Sequence, residues 1–256
     1  MNVKYLLKNL LFPPKCSNCD ELLDVELDKR ATDTLCPSCR IHYENEKKRE
    51  CAFCGLEMRF CRCMPQNLQK AQCSALLKLI SYRPHDDSFP IRSFVYSVKR
   101  NDNEIYFDFV AEQLRELLIT EMRASSLLPD DCVITFLPRA FKNKVEHGFD
   151  QGYSLARSLS YITGIKLVDC FDRNIFVKEQ KNLNQYERRL NMRSAYTPKS
   201  VEDKIKDKTV IIVDDIVTTG SSMATGARMV YSLGAYDVIG VCIGLTEKEK
   251  NYKNKR

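Results

Sequence analysis

Val210-Ile-Ile-Val-Asp-Asp-Ile-Val-Thr-Thr-Gly-Ser-Ser222 reads as a strand, a turn and a helix start in thirteen residues. The four β-branched residues suit a strand buried on both faces in the middle of a parallel sheet. Asp214 and Asp215 follow at its carboxyl end, where open α/β sheets bind their ligands. Thr218, Thr219, Gly220, Ser221 and Ser222 then form a small, hydroxyl-rich turn entering a helix. The free N–H groups and dipole of that helix start make an anion cradle, and glycine lets the backbone approach a phosphate. Carboxylates beside such a cradle suit a sugar phosphate, with the acids on ribose hydroxyls and the turn on the 5′-phosphate. There is no Lys after Gly220 to make a Walker loop, and no GxGxxG of the dinucleotide folds.

Outward from this stretch, apolar runs alternate between strand and helix texture. Ser74–Tyr82, Cys132–Leu137, Ile165–Val168, Thr209–Val213 and Tyr236–Leu245 read as strands. Ile91, Phe94, Val95 and Val98 sit at i, i+3, i+4, i+7, which predicts a helix. A second stripe runs from Ile105 through Phe109, Val110, Leu114 and Leu118, with Asp108, Glu112, Arg115 and Glu116 opposite. Asp150–Tyr161 and Ser221–Leu233, the latter stopped by Gly234, complete the helices. Strands separated by helices imply an α/β fold, a parallel sheet with helices on its faces. The polar stretch Val177–Ser200 reads as a mobile loop of the kind that closes over ligands.

Residues 1–70 have a different texture. Eight of the 12 cysteines fall there, as Cys16-x2-Cys19, Cys36-x2-Cys39, Cys51-x2-Cys54 and Cys61-x-Cys63. A segment this short and charged cannot build a core without a staple. Two knuckles of paired thiolates complete a tetrahedron around Zn²⁺, so about two structural zinc ions are expected, with no open coordination position. Sequential and crossed pairing both fit the spacing, and His42 is an alternative to Cys63 as a ligand. The expected organisation is therefore a double zinc ribbon over 1–70 and the α/β domain over 71–256. Cys132 and Cys242 lie in apolar strands and read as core residues.

Apolar residues at 44% and charged residues at 29% of the 256 are ordinary for a globular chain. No apolar run approaches the roughly 18 residues needed to span a bilayer, which argues against membrane insertion. The leucines near the N-terminus are interrupted by Lys8 and followed by no small-residue cleavage site, so a cytoplasmic location is expected. The formal charge is +6. Eight thiolates and two zinc ions would lower that to about +2, which weakens any argument from charge for nucleic-acid binding. The tail from Glu247 to Arg256 is locally basic.

The stretch VIIVDDIVTTGSS closely resembles the phosphoribosyl pyrophosphate (PRPP) motif of type I phosphoribosyltransferases. From Phe12-Pro-Pro-Lys-Cys16 to about Leu245, the chain resembles the ComF family of competence proteins and their relatives, which join a double zinc ribbon to a phosphoribosyltransferase domain. Phe136-Leu-Pro-Arg139 stands in the place of that family's pyrophosphate-side loop. His147-Gly-Phe-Asp-Gln151 parallels an RGFNQ-like segment, and Gln180–Leu183 with Arg188–Asn191 parallels a Q-x-x-L…R-x-x-N segment. His147 replaces the family's arginine and Asp150 its asparagine. Losing an Arg fork removes a bidentate phosphate contact, which Arg139, Lys142 or Lys144 would have to replace.

The resemblance implies PRPP bound with Mg²⁺. Asp214 and Asp215 would hold the ribose hydroxyls and the metal, and Thr218, Thr219, Gly220, Ser221 and Ser222 the 5′-phosphate. Arg139, with Lys181 and Arg188 of the polar loop, would face the pyrophosphate. One reading makes this an enzyme with an unspecified acceptor. Asn at position 2, in place of an N-terminal nucleophilic cysteine, leads us to expect no glutamine-derived ammonia. The other reading is a binding protein that senses PRPP or a nucleotide and contacts single-stranded DNA or DNA-uptake proteins. Arg59, Phe60 and Arg62 beside the last knuckle offer it a stacking surface.

Overall fold

In the computed structural model, which describes residues 3–24, 33–84, 86–100, 104–139, 149–173 and 195–247, the apolar runs form a five-stranded parallel sheet. Its strands are β1 (Ala75–Tyr82), β2 (Cys132–Phe136), β3 (Lys166–Leu167), β6 (Thr209–Val217) and β7 (Asp237–Thr246), in the order β1-β7-β6-β2-β3. A separate antiparallel pair joins β4 (Phe171–Arg173) to β5 (Tyr196–Pro198). The helices are α1 (Val3–Leu11), α2 (Pro37–Lys48), α3 (Gln66–Lys70), α4 (Arg92–Arg100), α5 (Glu104–Ala124), α6 (Gln151–Thr163), α7 (Glu202–Ile205) and α8 (Ser221–Ser232).

The central strands read as continuous apolar runs because both faces of the sheet are covered. Successive residues of β6 point to opposite sides. Ile211 and Val213 pack with Phe94, Phe107, Val110 and Leu114 of α4 and α5 and with Leu155 and Leu159 of α6. Val210 and Ile212 pack with Met223, Ala227 and Val230 of α8 and with Leu68 of α3. The α5 stripe is buried as its periodicity predicts. Asp108, expected on the open face of that helix, accepts a hydrogen bond from Ser158 Oγ at 2.9 Å across the α5–α6 contact.

Two expectations change. The strand from Thr209 was expected to end at Val213, yet β6 continues to Val217, because β7 is long enough to pair with it through Ile216–Gly244 and Val217–Leu245. The two aspartates are thus inside the last turn of the ladder, Asp214 opposite Cys242, and not beyond it. Residues 195–200, expected to be part of a loop, contribute β5. A three-residue strand is too short to show alternation, and its partner lies far away in sequence.

The first cysteines are not set apart from the rest. Leu35, Cys36, Cys39 and Tyr43 share the core on the α4–α5 side of the sheet. Tyr43 meets Phe94 at 5.2 Å and Phe109 at 5.6 Å between ring centroids, and Arg40 stacks 4.5 Å over Phe109. Asn18 ties the first knuckle to α4, donating to Pro90 O at 2.9 Å and accepting from Phe94 N at 3.0 Å.

Candidate functional site

The carboxyl ends of β2 and β6 and the first turn of α6 enclose a cavity of about 230 Å³, lined by residues including Arg139, Gln151, Gly152, Arg173, Asp214, Asp215 and Ser222. Its floor is the carboxylate pair. Asp215 Oδ1 accepts from the Ile216 N–H at 2.7 Å, and Asp214 Oδ1 from the Asp215 N–H at 2.9 Å, so one oxygen of each is fixed by backbone. The Arg139 guanidinium stands 3.9 Å from Asp215 Oδ2, both side chains 18% exposed. Burial lowers the Arg139 pKa from its ordinary value, and Asp215, Asp150 and Asp214 oppose that shift. Among the described residues, Arg139 Nη1 and Gln151 Nε2 are buried donors with no hydrogen-bond partner. Two orphaned donors beside a carboxylate pair leave the cavity complementary to an oxyanion.

Asp150, read from the sequence as a helix start and as a replacement for asparagine, organises this wall. It is the N-cap of α6, accepting from Tyr153 N, and its other oxygen accepts from Arg139 N at 3.0 Å. Either Asp or Asn can cap the helix, but accepting from Tyr153 N and Arg139 N on two separate oxygens takes a carboxylate. Gly152 lets the helix approach: a Cβ there would lie 3.2 Å from Leu137 O. Arg173 was not foreseen. From β4 it donates to Pro138 O at 3.0 Å and pairs with Tyr196 OH at 3.2 Å, bracing the segment that carries Arg139. Only the cross-strand pairing of β4 with β5 brings Arg173 and Tyr196 together, so no local motif announced them.

At the opposite end of the carboxylates, Gly220 caps α8 with φ of 70°, the left-handed region that glycine occupies without strain. It offers no side-chain cap, so the first N–H groups of α8 keep the capacity to bind an anion. Thr219 Oγ1 and Ser221 Oγ lie 2.8 Å apart at the rim. Asp214, Asp215, Ser222 and Arg139 line this cavity, while Thr218 to Ser221 leave the end of β6 beside it. A second cavity of about 340 Å³ lies beyond Thr218, between β7's end and the last knuckle, lined by Phe53, Met58, Met64 and Thr246 among others. Lys181, Arg188, His147, Lys142, Lys144, His85, the paralleled segment 180–191 and the tail past Glu247 lie outside the described residues.

The cysteines form two groups of four, Cys16–Cys19–Cys36–Cys39 and Cys51–Cys54–Cys61–Cys63, with the sulfurs of each within 4.8 Å of one another. A tetrahedral S₄ site with Zn–S of about 2.3 Å needs sulfurs about 3.8 Å apart, and Cys19 Sγ to Cys36 Sγ is 3.6 Å. The pairing is sequential, Cys63 belongs to the second group, and His42 lies exposed outside both. Both groups could hold a structural metal ion. Donors already point at the sulfurs: Asn18 Nδ2 to Cys39 at 3.3 Å and Cys63 N to Cys61 at 3.4 Å. In each group the first thiol is held low. Burial raises Cys51, but the Phe53 and Cys54 N–H groups outweigh it and set it at about 7, and Cys16 is lowered in the same way. Burial and the neighbouring thiols push Cys39 and Cys63 up to about 12. One thiolate without a cation leaves its neighbours protonated; a dication would draw off the remaining protons.

A parallel sheet of this order, with paired carboxylates on its central strand and a glycine-turned helix start beside them, defines a type I phosphoribosyltransferase fold, and residues 149–256 match the phosphoribosyl transferase domain family. Over 231 residues the chain is 22% identical to competence protein F of Haemophilus influenzae, covering 88% of this chain and 93% of that protein. That likeness runs in the direction of the resemblance to the ComF family. It is also 43% identical over 47 residues to ribose-phosphate pyrophosphokinase 2 of Archaeoglobus fulgidus, spanning 18% of this chain and only 17% of the pyrophosphokinase. Among solved structures, purine phosphoribosyltransferase of Pyrococcus horikoshii is similar at 19% identity and a TM-score of 0.33, over 54% of this chain and 73% of that one. An allosteric regulatory enzyme of purine biosynthesis is similar at 18% identity and a TM-score of 0.37, over 58% of this chain and 30% of that one. No described helix is long and apolar enough to cross a membrane.

Proposed function

We propose that the chain binds PRPP, or a related ribose phosphate, with Mg²⁺ in the cavity over Asp214 and Asp215 and acts there as a phosphoribosyltransferase. The observation that carries this reading is the pair of orphaned donors, Arg139 Nη1 and Gln151 Nε2, lining the same cavity as the adjacent carboxylates. The donors suit the pyrophosphate, the carboxylates the ribose hydroxyls, and the Thr218–Ser222 loop the 5′-phosphate. Mg²⁺ held by PRPP and the carboxylates would neutralise charge on the leaving group. The loop and carboxylates bind parts of the substrate that do not react, which fixes the anomeric carbon in place. There the bond to the pyrophosphate oxygen breaks with its electron pair leaving on pyrophosphate, and a bond to the acceptor forms as the acceptor's proton passes to solvent. Arg139 stabilises the charge that develops on the departing group. The two cysteine groups would hold about two Zn²⁺ as structural ions, since four thiolates leave no open position.

Calorimetric titration with PRPP, with and without Mg²⁺, tests this reading directly. Saturable, Mg²⁺-dependent binding is expected, and turnover against a panel of bases and amines identifies the acceptor. Absence of binding to wild-type protein overturns it. Binding without turnover of any acceptor would favour the sensing role instead.

Likeness to competence protein F supports a role in DNA uptake during natural transformation. Phe60 is 59% exposed and Arg59 stacks 4.7 Å over its ring, a surface on which a base could stack. Arg59 also pairs with Glu57 at 2.7 Å, and Arg62 pairs with Glu121, so their charge is partly spent within the chain. Single-strand binding through this surface would be weak and steeply salt-dependent. No binding at low salt removes direct DNA contact and leaves a role through a protein partner.

A further inference from the structure

The segment leaving the second cysteine group runs straight into the phosphate loop. One residue, Met64, separates Cys63 from Pro65, which opens α3. Asn67 of α3 donates from Nδ2 to Thr219 O at 2.9 Å and to Ser221 Oγ at 2.9 Å, spanning the loop on either side of Gly220. Leu68, fully buried, and Pro65 fill the space beside Gly220: a Cβ there would lie 2.9 Å from Leu68 Cγ and 3.3 Å from Pro65 Cβ. The other end of this link is also anchored. Lys78, buried in β1, donates from Nζ to Cys61 O at 2.6 Å, so the knuckle is tied to the sheet that carries the carboxylates.

We propose that Asn67 is a positioning residue for the phosphate loop and that the second cysteine group, through Pro65 to Leu68, sets the geometry in which that loop receives a 5′-phosphate. A loop rich in hydroxyls and glycine has many conformations, and only one points its N–H groups at a common centre. Two hydrogen bonds from a single amide hold both shoulders of the turn, and the Leu68 side chain closes the space into which the turn would otherwise collapse. The reach of Asn67 depends on where α3 begins, and Cys61 and Cys63 determine that. The inference rests on the reading of this loop as the phosphate site.

Ribose 5-phosphate engages the loop and the carboxylates, whereas Mg²⁺-pyrophosphate engages the carboxylates and the Arg139 side but not the loop, so the two ligands separate the effects. Asn67→Leu, close in shape and without the donors, is expected to weaken ribose 5-phosphate binding about tenfold. Its affinity for Mg²⁺-pyrophosphate and its melting temperature should stay near wild type, since the side chain is only half-buried. Cys63→Ser should lower the metal content by one equivalent and produce the same selective loss. If that variant does not fold, the Asn67→Leu pair of affinities decides alone. Equal losses for both ligands would mean general loosening and overturn the positioning role, as would unchanged ribose 5-phosphate affinity in Asn67→Leu. Wild-type protein that binds neither ligand would instead remove the phosphate-site reading itself.

Discussion

Asp214 and Asp215 sit in the last residues of β6, at the floor of the cavity, half-buried, each with one oxygen fixed by a backbone N–H. Replacing both with Ala removes the groups that would hold ribose and metal, while the apolar ladder beneath them stays intact. PRPP affinity is expected to vanish with a stability change within about 1 kcal/mol, as read by calorimetry and denaturant unfolding. Gly220→Ala should do the reverse in part. A left-handed φ of 70° strains any other residue, and the new Cβ would press on Leu68, so a loss of about 1–3 kcal/mol is expected from the same denaturant curves. All three residues were legible in the sequence because their chemistry is local: a carboxylate pair and a glycine inside one strand–turn–helix unit. Arg173, Tyr196 and the strut from Asn67 were not, because their roles depend on contacts between segments far apart in the chain.

Among the elements, α6 shows how a cap can serve a site. Asp150 starts the helix and holds Arg139 by its backbone, so Asp150→Ala should cost about 1 kcal/mol and weaken PRPP binding as well. Asp150→Asn keeps one acceptor, for Tyr153 N or for Arg139 N but not both, and should fall between Asp150→Ala and wild type in the two measurements. Fold and element order were readable from periodicity, since long helices and doubly buried strands repeat their signal many times. The extension of β6 to Val217 was less readable: an Asp-Asp pair looks like a strand stop until the length of β7 is known. β4 and β5, with three residues each, carry no periodic signal at all.

Across the whole molecule, both cysteine groups are bound into the α/β body, the first through the aromatic core and the second through Lys78 and α3. A region that shares its core with the sheet has no separate stability to lose. Thermal unfolding followed by release of metal to a colorimetric chelator and by far-ultraviolet circular dichroism should therefore give coincident transitions. Metal released well below the loss of secondary structure would show that the cysteine region melts independently. Elemental analysis of freshly purified protein should find about two zinc per chain, and folded protein without metal would end the zinc assignment. The spacing of the cysteines made the ligands legible, but not that their apolar neighbours Leu35 and Tyr43 complete the core of the other region.

The contact of Tyr43 with Phe94 and Phe109 has a consequence for biosynthesis. The ribosome finishes residues 16–63 well before Phe109 emerges, so for that interval the apolar side of α2 has no cover. A metal ion captured early would hold the nascent knuckles in shape while the rest of the chain is made, whereas without it Leu35 and Tyr43 would be exposed on an unstructured chain open to self-association. Metal shortage during translation should then lower the yield of native protein far more than the same shortage imposed after folding. Pulse-labelled cells given a chelator before or after the pulse would separate the two.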